Sequence, residues 1–229
     1  MSAASGASGA SGPAAAAARH PRTEAPSTLE LYRDDGPLAR ALSGLGRFVP
    51  LPPALLIAIG FLPVLVLMVV EGVGASDAVV GGVVAWLLVC GALSAGRPHL
   101  DRLRWSVPPL LRLCEYATLV WIGAEGGESS RPAAFAFICA LTFRHYDLVY
   151  RMRHQGVAPP RWLGNLALGW DGRLLLGYLL LVAGALPAGF FVAAGLLAAV
   201  FAAETVAGWR RFGRAQQPAT YEDEEDEGQ

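Results

Sequence analysis

Six apolar runs, each about the length that crosses a bilayer, constrain this chain more than any other feature. They are read at 51–70, 78–95, 107–122 and 132–150, from after Arg173 to about Leu186, and from after Pro187-Ala188-Gly189 to about Trp209. Backbone amides in hydrocarbon have no water to bond, so such runs fold as helices that satisfy their own polar groups. The fold expected is all-α, a polytopic membrane bundle of about six transmembrane helices over residues 51–212. A chain with 54% hydrophobic and 16% charged residues, at mean hydropathy +0.42, is too apolar for an ordinary soluble domain.

The flanks are different material. Residues 1–28 are Ala, Ser, Gly and Pro in SGAS-like units. They bury too little apolar surface to offset ordering, so a low-complexity disordered tail is expected, without a cleaved signal. Residues 29–50 hold LELYRDDGPLARALSGLGR, read as a juxtamembrane amphipathic segment on the membrane surface. Residues 213–229 end in YEDEEDEGQ and are expected to be an acidic disordered tail. The connection 154–169, with Pro159 and Pro160, is too long and too broken for a tight turn and reads as a cytoplasmic or interfacial loop.

Charge placement sets the expected orientation. The eighteen basic residues are all Arg, and they crowd alternate loops: Arg33, Arg40 and Arg47; Arg97, Arg102 and Arg104; Arg151, Arg153, Arg161 and Arg173; Arg210, Arg211 and Arg214. The opposite loops carry only Arg131. An excess of Arg marks the cytoplasmic side, so a cell-membrane protein with both termini in the cytoplasm is expected. Trp105, Trp162, Trp170 and Trp209 fall at that same interface, where amphipathic rings settle. No nucleic-acid partner is expected. Cys90, Cys114 and Cys139 each lie inside an apolar run, which suits buried thiols better than disulfides or a metal site.

An ionisable side chain at the bilayer centre costs about 2.5 to 3.5 kcal/mol on the insertion scale, so such residues should face partners or water. Here they gather in one half of the bundle. Arg112 and Glu115 lie in the third span and Glu204 in the sixth. The stretch FRHYDLVYRMR, Phe143 to Arg153, closes the fourth span, and Asp171 and Arg173 open the fifth. At about 100° per residue, Arg144, Asp147 and Arg151 share a face, and His145 points away from it. This profile predicts a cytoplasm-facing pocket, with Glu115, Asp147 and Glu204 as acid, base or ligand carboxylates. Arg112, Arg144, Arg151 and Arg173 would clamp the phosphate of a phosphorylated lipid or activated headgroup. Mg²⁺ is a possible companion of a diphosphate in such a pocket. The same groups can instead neutralise one another, Arg112 with Glu115 at i,i+3 and Asp147 with Arg151 at i,i+4. Glu204 lacks a partner in its own span, and Arg112 is its expected one. Asp171 in GWDGR is read as the cap of the helix that follows it. His99 and Asp101 are read as surface residues. His145 and His154 lack metal-ligand spacing, and no Gly-rich phosphate loop, Ser nucleophile elbow or paired catalytic His occurs.

Two resemblances bear on function. Asp35-Gly36-Pro37-Leu38-Ala39-Arg40 resembles the DGxxAR core of the CDP-alcohol phosphatidyltransferases. Tyr32 stands where that motif has an earlier aspartate, Val49 where it has a Gly, and its later aspartates do not occur. Its paired-metal chemistry cannot be assembled from this fragment, which reads as chance or a surface-helix cap. As a set, LYRDDGPLAR, RLRWSVPPLLRLCEY, FRHYDLVYR, PPRW, LGWDGR and the late AET are similar to an uncharacterised actinobacterial integral-membrane domain. That domain is often fused behind a CDP-alcohol phosphatidyltransferase, so the resemblance implies a link to phospholipid or glycoconjugate synthesis. It transfers no catalytic role. A non-catalytic membrane partner of such a transferase is the alternative expectation, and a transporter a third.

Overall fold

A computed structural model of the chain describes residues 28–70, 72, 74–96 and 103–216. The expected N-terminal tail apart from Thr28, most of the acidic tail and the Arg97, His99, Asp101 and Arg102 loop residues lie outside them. Among the described residues every element is helical. Two short helices come first, α1 (Thr28–Arg33) and α2 (Pro37–Gly46). Then follow α3 (Pro53–Val70), α4 (Asp77–Ala95), α5 (Val107–Glu125), α6 (Ser130–His154), α7 (Arg161–Leu166), α8 (Gly169–Val182) and α9 (Leu186–Gln216). Helices stand at all six expected spans. Of these, α3, α4 and α9 are long and apolar enough to cross a membrane.

The boundaries differ from expectation for local reasons. The fifth helix starts at Gly169 instead of after Arg173, and at 14 residues it is the shortest of the six. It ends because Gly184 takes φ +65, the left-handed turn that closes a helix. Pro187, Ala188 and Gly189 belong to the first turns of α9, where proline's missing N–H is no loss. At the far end α9 runs on to Gln216, so residues 213–216 are helical and not tail. FRHYDLVYRMR forms the last turns of α6, which runs a few residues past the expected 150 and ends at His154. The 154–169 connection carries the one-turn α7.

Helix α5 is central, packing on α3, α6 and α8, while α3 pairs with α4 and α6 with α9. Ile57, Val84, Leu111, Ile122, Leu141 and Leu174 share one buried core, and Phe137 stacks on Phe190 at 4.9 Å between centroids. Small residues set the close approaches. A Cβ on Gly91 would strike the ring of Trp170, so α4 and α8 meet there only because the position is glycine. Trp170 is consequently 1% exposed and cannot be an interfacial ring, whereas Trp105, Trp162 and Trp209 are exposed. Cys90 and Cys114 are buried as expected, but Cys139 is exposed.

The 29–50 segment does not lie apart on a surface. The turn between α1 and α2 is tucked into the end of the bundle, with Arg33 and Ala39 buried, and α2 packs on α4 and α8. Together with α7 it forms a cap across the Arg-rich end of the long helices.

Candidate functional site: a buried arginine–carboxylate cap and its cavity

Two left-handed turns clasp each other at the centre of the cap. Asp34 takes φ +53, and Leu168 and Gly169 take φ +62 and +66. Non-glycine residues occupy this region at a cost, Asp more readily than Leu. The turns are held by Trp170 N–H donating to the Asp34 carbonyl at 3.1 Å. Asp171 then reaches across and accepts from Gly36 N (2.5 Å), Leu38 N (2.8 Å) and Ala39 N (3.0 Å). Asp171 is a cap, as its sequence suggests, but of α2 and not of its own helix. Gly36 has no side chain to offer there, and the Asp35 of the DGxxAR-like fragment is engaged elsewhere.

Around this clasp lies the first ionic group. Arg173 donates from Nε to Glu115 Oε1 (2.5 Å) and from Nη1 to Asp34 Oδ2 (2.9 Å) and the Ala167 carbonyl (3.0 Å). Arg112 donates to Glu115 Oε2 and to the Arg33 carbonyl. Arg144 Nη2 donates to Asp34 Oδ1 at 3.0 Å. Asp35 accepts from Arg33 Nε and from Trp170 Nε1, both at 2.8 Å, and Arg33 Nη2 also reaches Ser94 Oγ at 3.1 Å. Four guanidinia, of Arg33, Arg112, Arg144 and Arg173, thus share three carboxylates, of Asp34, Asp35 and Glu115. Burial pushes the Asp34 carboxyl up, but Arg173 and Arg144 outweigh it and hold the group far below the usual carboxylate range.

Asp34 is the residue that sequence reasoning missed. His145 also joins this group, with Nε2 3.5 Å from Asp34 Oδ2 and Nδ1 2.6 Å from the Tyr116 hydroxyl. It was expected to point away from Arg144. Both can meet Asp34 because α1 packs against α6, which brings the carboxylate of the α1–α2 turn between them.

The second group is separate. Arg151 Nε lies 2.8 Å from Asp147 Oδ2 and its Nη2 2.6 Å from Glu204 Oε2, and Arg211 Nη2 donates to Glu204 Oε1 at 2.9 Å. Glu204 therefore pairs with Arg151 and Arg211 and not with Arg112, because α9 packs along α6 while Arg112 sits on α5. Gly208 makes room for the Arg151 guanidinium, which a Cβ there would strike. None of the described ion pairs joins the two groups, so the expected single pocket of Glu115, Asp147, Glu204 and four arginines is divided. Both i,i+3 and i,i+4 pairs, Arg112–Glu115 and Asp147–Arg151, are present.

Beside the first group opens a cavity of about 440 Å³. Arg144 and Asp34 line it from within, Arg40 and Ser43 from α2, and Asn165 from α7, with Leu31, Leu148, Pro159 and Pro160 as apolar wall. Arg40 bridges its edge, donating from Nη2 to Asn165 Oδ1 at 3.1 Å. Arg144 is more than nine-tenths buried, and its Nε and Nη1 have no acceptor among the described residues. Arg33, Arg112 and Arg173 each have one such nitrogen, but none of them lines the cavity. Three carboxylates line the cavity as well, Glu30, Asp34 and Asp35, of which Asp34 and Asp35 are engaged by arginine and tryptophan. Among the described residues no group of three or more His, Cys, Asp or Glu is placed to hold a metal ion.

The class defined by these features is an all-helical bundle with membrane-length helices, closed at one end by a cap of paired arginines and carboxylates. By sequence the chain belongs to a family of unknown function, DUF5941, which it matches over residues 23–228. No curated protein and no solved structure matches it.

Proposed function

We propose that this chain is a multi-pass membrane protein whose cap cavity binds the phosphate of a phosphorylated lipid or activated headgroup at the cytoplasmic face, in phospholipid or glycoconjugate synthesis. The observation that carries the reading is Arg144: a buried guanidinium in a cavity wall, with Nε and Nη1 free of any acceptor among the described residues. A buried donor without a partner is disfavoured by about 1 to 3 kcal/mol, more when charged, and a phosphate oxygen relieves that. The clamp is then Arg144 with Arg40 and Asn165 beside it, and Arg112, Arg173 and Glu115 hold the cap that positions Arg144. Purified from its native membrane, the wild-type chain should retain a phosphorus-containing lipid or headgroup detectable by mass spectrometry. Arg144→Lys should lose it, and equal retention by both would sink the reading.

One observation favours a second reading, a non-catalytic membrane partner of a CDP-alcohol phosphatidyltransferase. Glu115, Asp147 and Glu204 are each engaged by arginine, which suits interhelical locks better than acid–base work. Copurification of such a transferase with the tagged chain, undiminished by Arg144→Lys, would favour this reading over the first.

A further inference from the structure

We infer that the arginine-bearing ends of α6 and α9 form a docking surface whose occupant is the chain's own acidic run, Glu222 to Glu227, which holds that surface against other polyanions.

The surface is a set of cations short of counter-charges. Past Glu204, α9 carries Arg210, Arg211 and Arg214 and no acid before its end at Gln216, and the end of α6 adds Arg153. All four are exposed. Arg211 pairs with Glu204, a carboxylate that buried Arg151 also uses. Arg153, Arg210 and Arg214 have no carboxylate partner among the described residues. At about 100° per residue, Arg210 and Arg214 fall about 40° apart and stand as one ridge on α9. This ridge is separate from the cap cavity, whose arginines are Arg40 and Arg144.

Rings accompany the cations. Tyr150 lies between His154 and Trp209, with centroids 4.3 and 5.5 Å away, and Tyr146 and Trp209 are 67% and 38% exposed. The contact of Tyr150 with Trp209 ties the two helix ends together, so Arg153 and the ridge belong to one surface.

The segment that follows α9 has the matching chemistry. Within residues 217–229, Tyr221 leads Glu222, Asp223, Glu224, Glu225, Asp226 and Glu227, with no basic residue among them. A basic surface bearing rings is thus followed by a ring and a run of acids, and complementary charge of this kind selects a partner and orients it. Reach is sufficient. The six residues from Gln216 to Glu222 extend to about 20 Å, and Arg210 lies only about 9 Å back along the helix. So short a tether holds the acids at an effective concentration on the order of 1 mM, and a ridge that binds the free segment at about 0.1 mM is then closed to an added one by about tenfold.

The test uses the full chain in phosphatidylcholine nanodiscs and a fluorescein-labelled peptide of residues 221–229. Binding is read by anisotropy at about 0.01 M salt, where exposed charges are little screened. A full-length variant with Glu222→Gln, Asp223→Asn, Glu224→Gln, Glu225→Gln, Asp226→Asn and Glu227→Gln should bind the peptide about tenfold more tightly than wild type, a difference of about 1.4 kcal/mol. Both should release it at about 1 M salt. In that neutral-tail background, Arg210→Gln with Arg214→Gln should weaken the peptide at least about fivefold. Arg47→Gln with Arg131→Gln, the same change of charge away from the ridge, should weaken it less than about twofold, and thermal unfolding should match in the two double variants. Equal peptide binding by wild type and neutral-tail proteins, whether tight or absent, would overturn the tail as occupant. Equal losses from the two arginine pairs would overturn the ridge as its site. A wild-type deficit that disappears when each disc holds a single copy would give the ridge to the tail of a second copy and overturn the intramolecular contact.

Discussion

Replacing Asp34 with Asn tests the cap most directly, because it removes one charge and almost nothing else. Asn has the same shape and tolerates the left-handed φ of +53 as well as Asp does, so the backbone of the turn is not perturbed. Its amide cannot accept from both Arg173 Nη1 and Arg144 Nη2, which lie 2.9 and 3.0 Å from the two carboxylate oxygens. One guanidinium is then faced by an N–H₂ group, and four buried arginines are left with two carboxylates, Asp35 and Glu115. Breaking a buried pair by removing one partner costs about 3 to 5 kcal/mol, and this carboxylate serves two partners, so about 4 kcal/mol is expected. Unfolding of the purified protein in mixed micelles, titrated with a denaturing detergent, measures it. Arg144→Gln added to Asp34→Asn should recover at least about 1 kcal/mol, since it removes the cation left unpaired. The pH dependence has a defined sign. The folded pKa lies below the usual 3.8, so the stabilisation is complete above that value and is lost as pH falls through the folded value. Asp34 should therefore contribute no loss of stability between neutral pH and about pH 4. An Asp34→Asn protein within about 0.5 kcal/mol of wild type would refute the cap as the tie between α1, α6 and α8.

Asp171→Ala should free the Gly36, Leu38 and Ala39 amides and destabilise by about 1 to 2 kcal/mol, with faster hydrogen exchange confined to α2 and its neighbours. Arg151→Met should cost about 3 to 5 kcal/mol by leaving Asp147 and Glu204 buried together, and Asp147→Asn with Glu204→Gln should restore most of it in the same unfolding assay. Trp170→Phe should cost about 1 kcal/mol through the lost bond to Asp35, and should be less than additive with Asp35→Asn.

What could be read in the sequence divides along one physical line. Helices and the contacts within them follow from local spacing, so Arg112–Glu115 and Asp147–Arg151 were legible from three- and four-residue intervals alone. Contacts between helices depend on which helix neighbours which, and hydropathy is silent on that. Glu204 was assigned to Arg112 because both lie at similar depth, but α9 lies along α6, and Arg151 is the cation it meets. Asp34 was lost for another reason: two adjacent acids before Gly36 and Pro37 look like a solvated turn, and only the backbone angles decide which of them turns inward. A signal was nonetheless present. The ionic face read from the spans had four arginines, at 112, 144, 151 and 173, for three acids, at 115, 147 and 204. Burying that set requires a further carboxylate from outside the spans, and the Arg33-Asp34-Asp35 stretch stands at the same end of the bundle. Asp34 supplies it, and Arg33 and Asp35 enter beside it as a pair, so with Asp171 the cap holds four guanidinia and four carboxylates. The reason to expect an anion at Arg144 is therefore local and not a matter of net charge: the chain brings a counter-charge to every arginine of the cap, but Arg144, in the cavity wall, keeps two buried donors, Nε and Nη1, without an acceptor among the described residues.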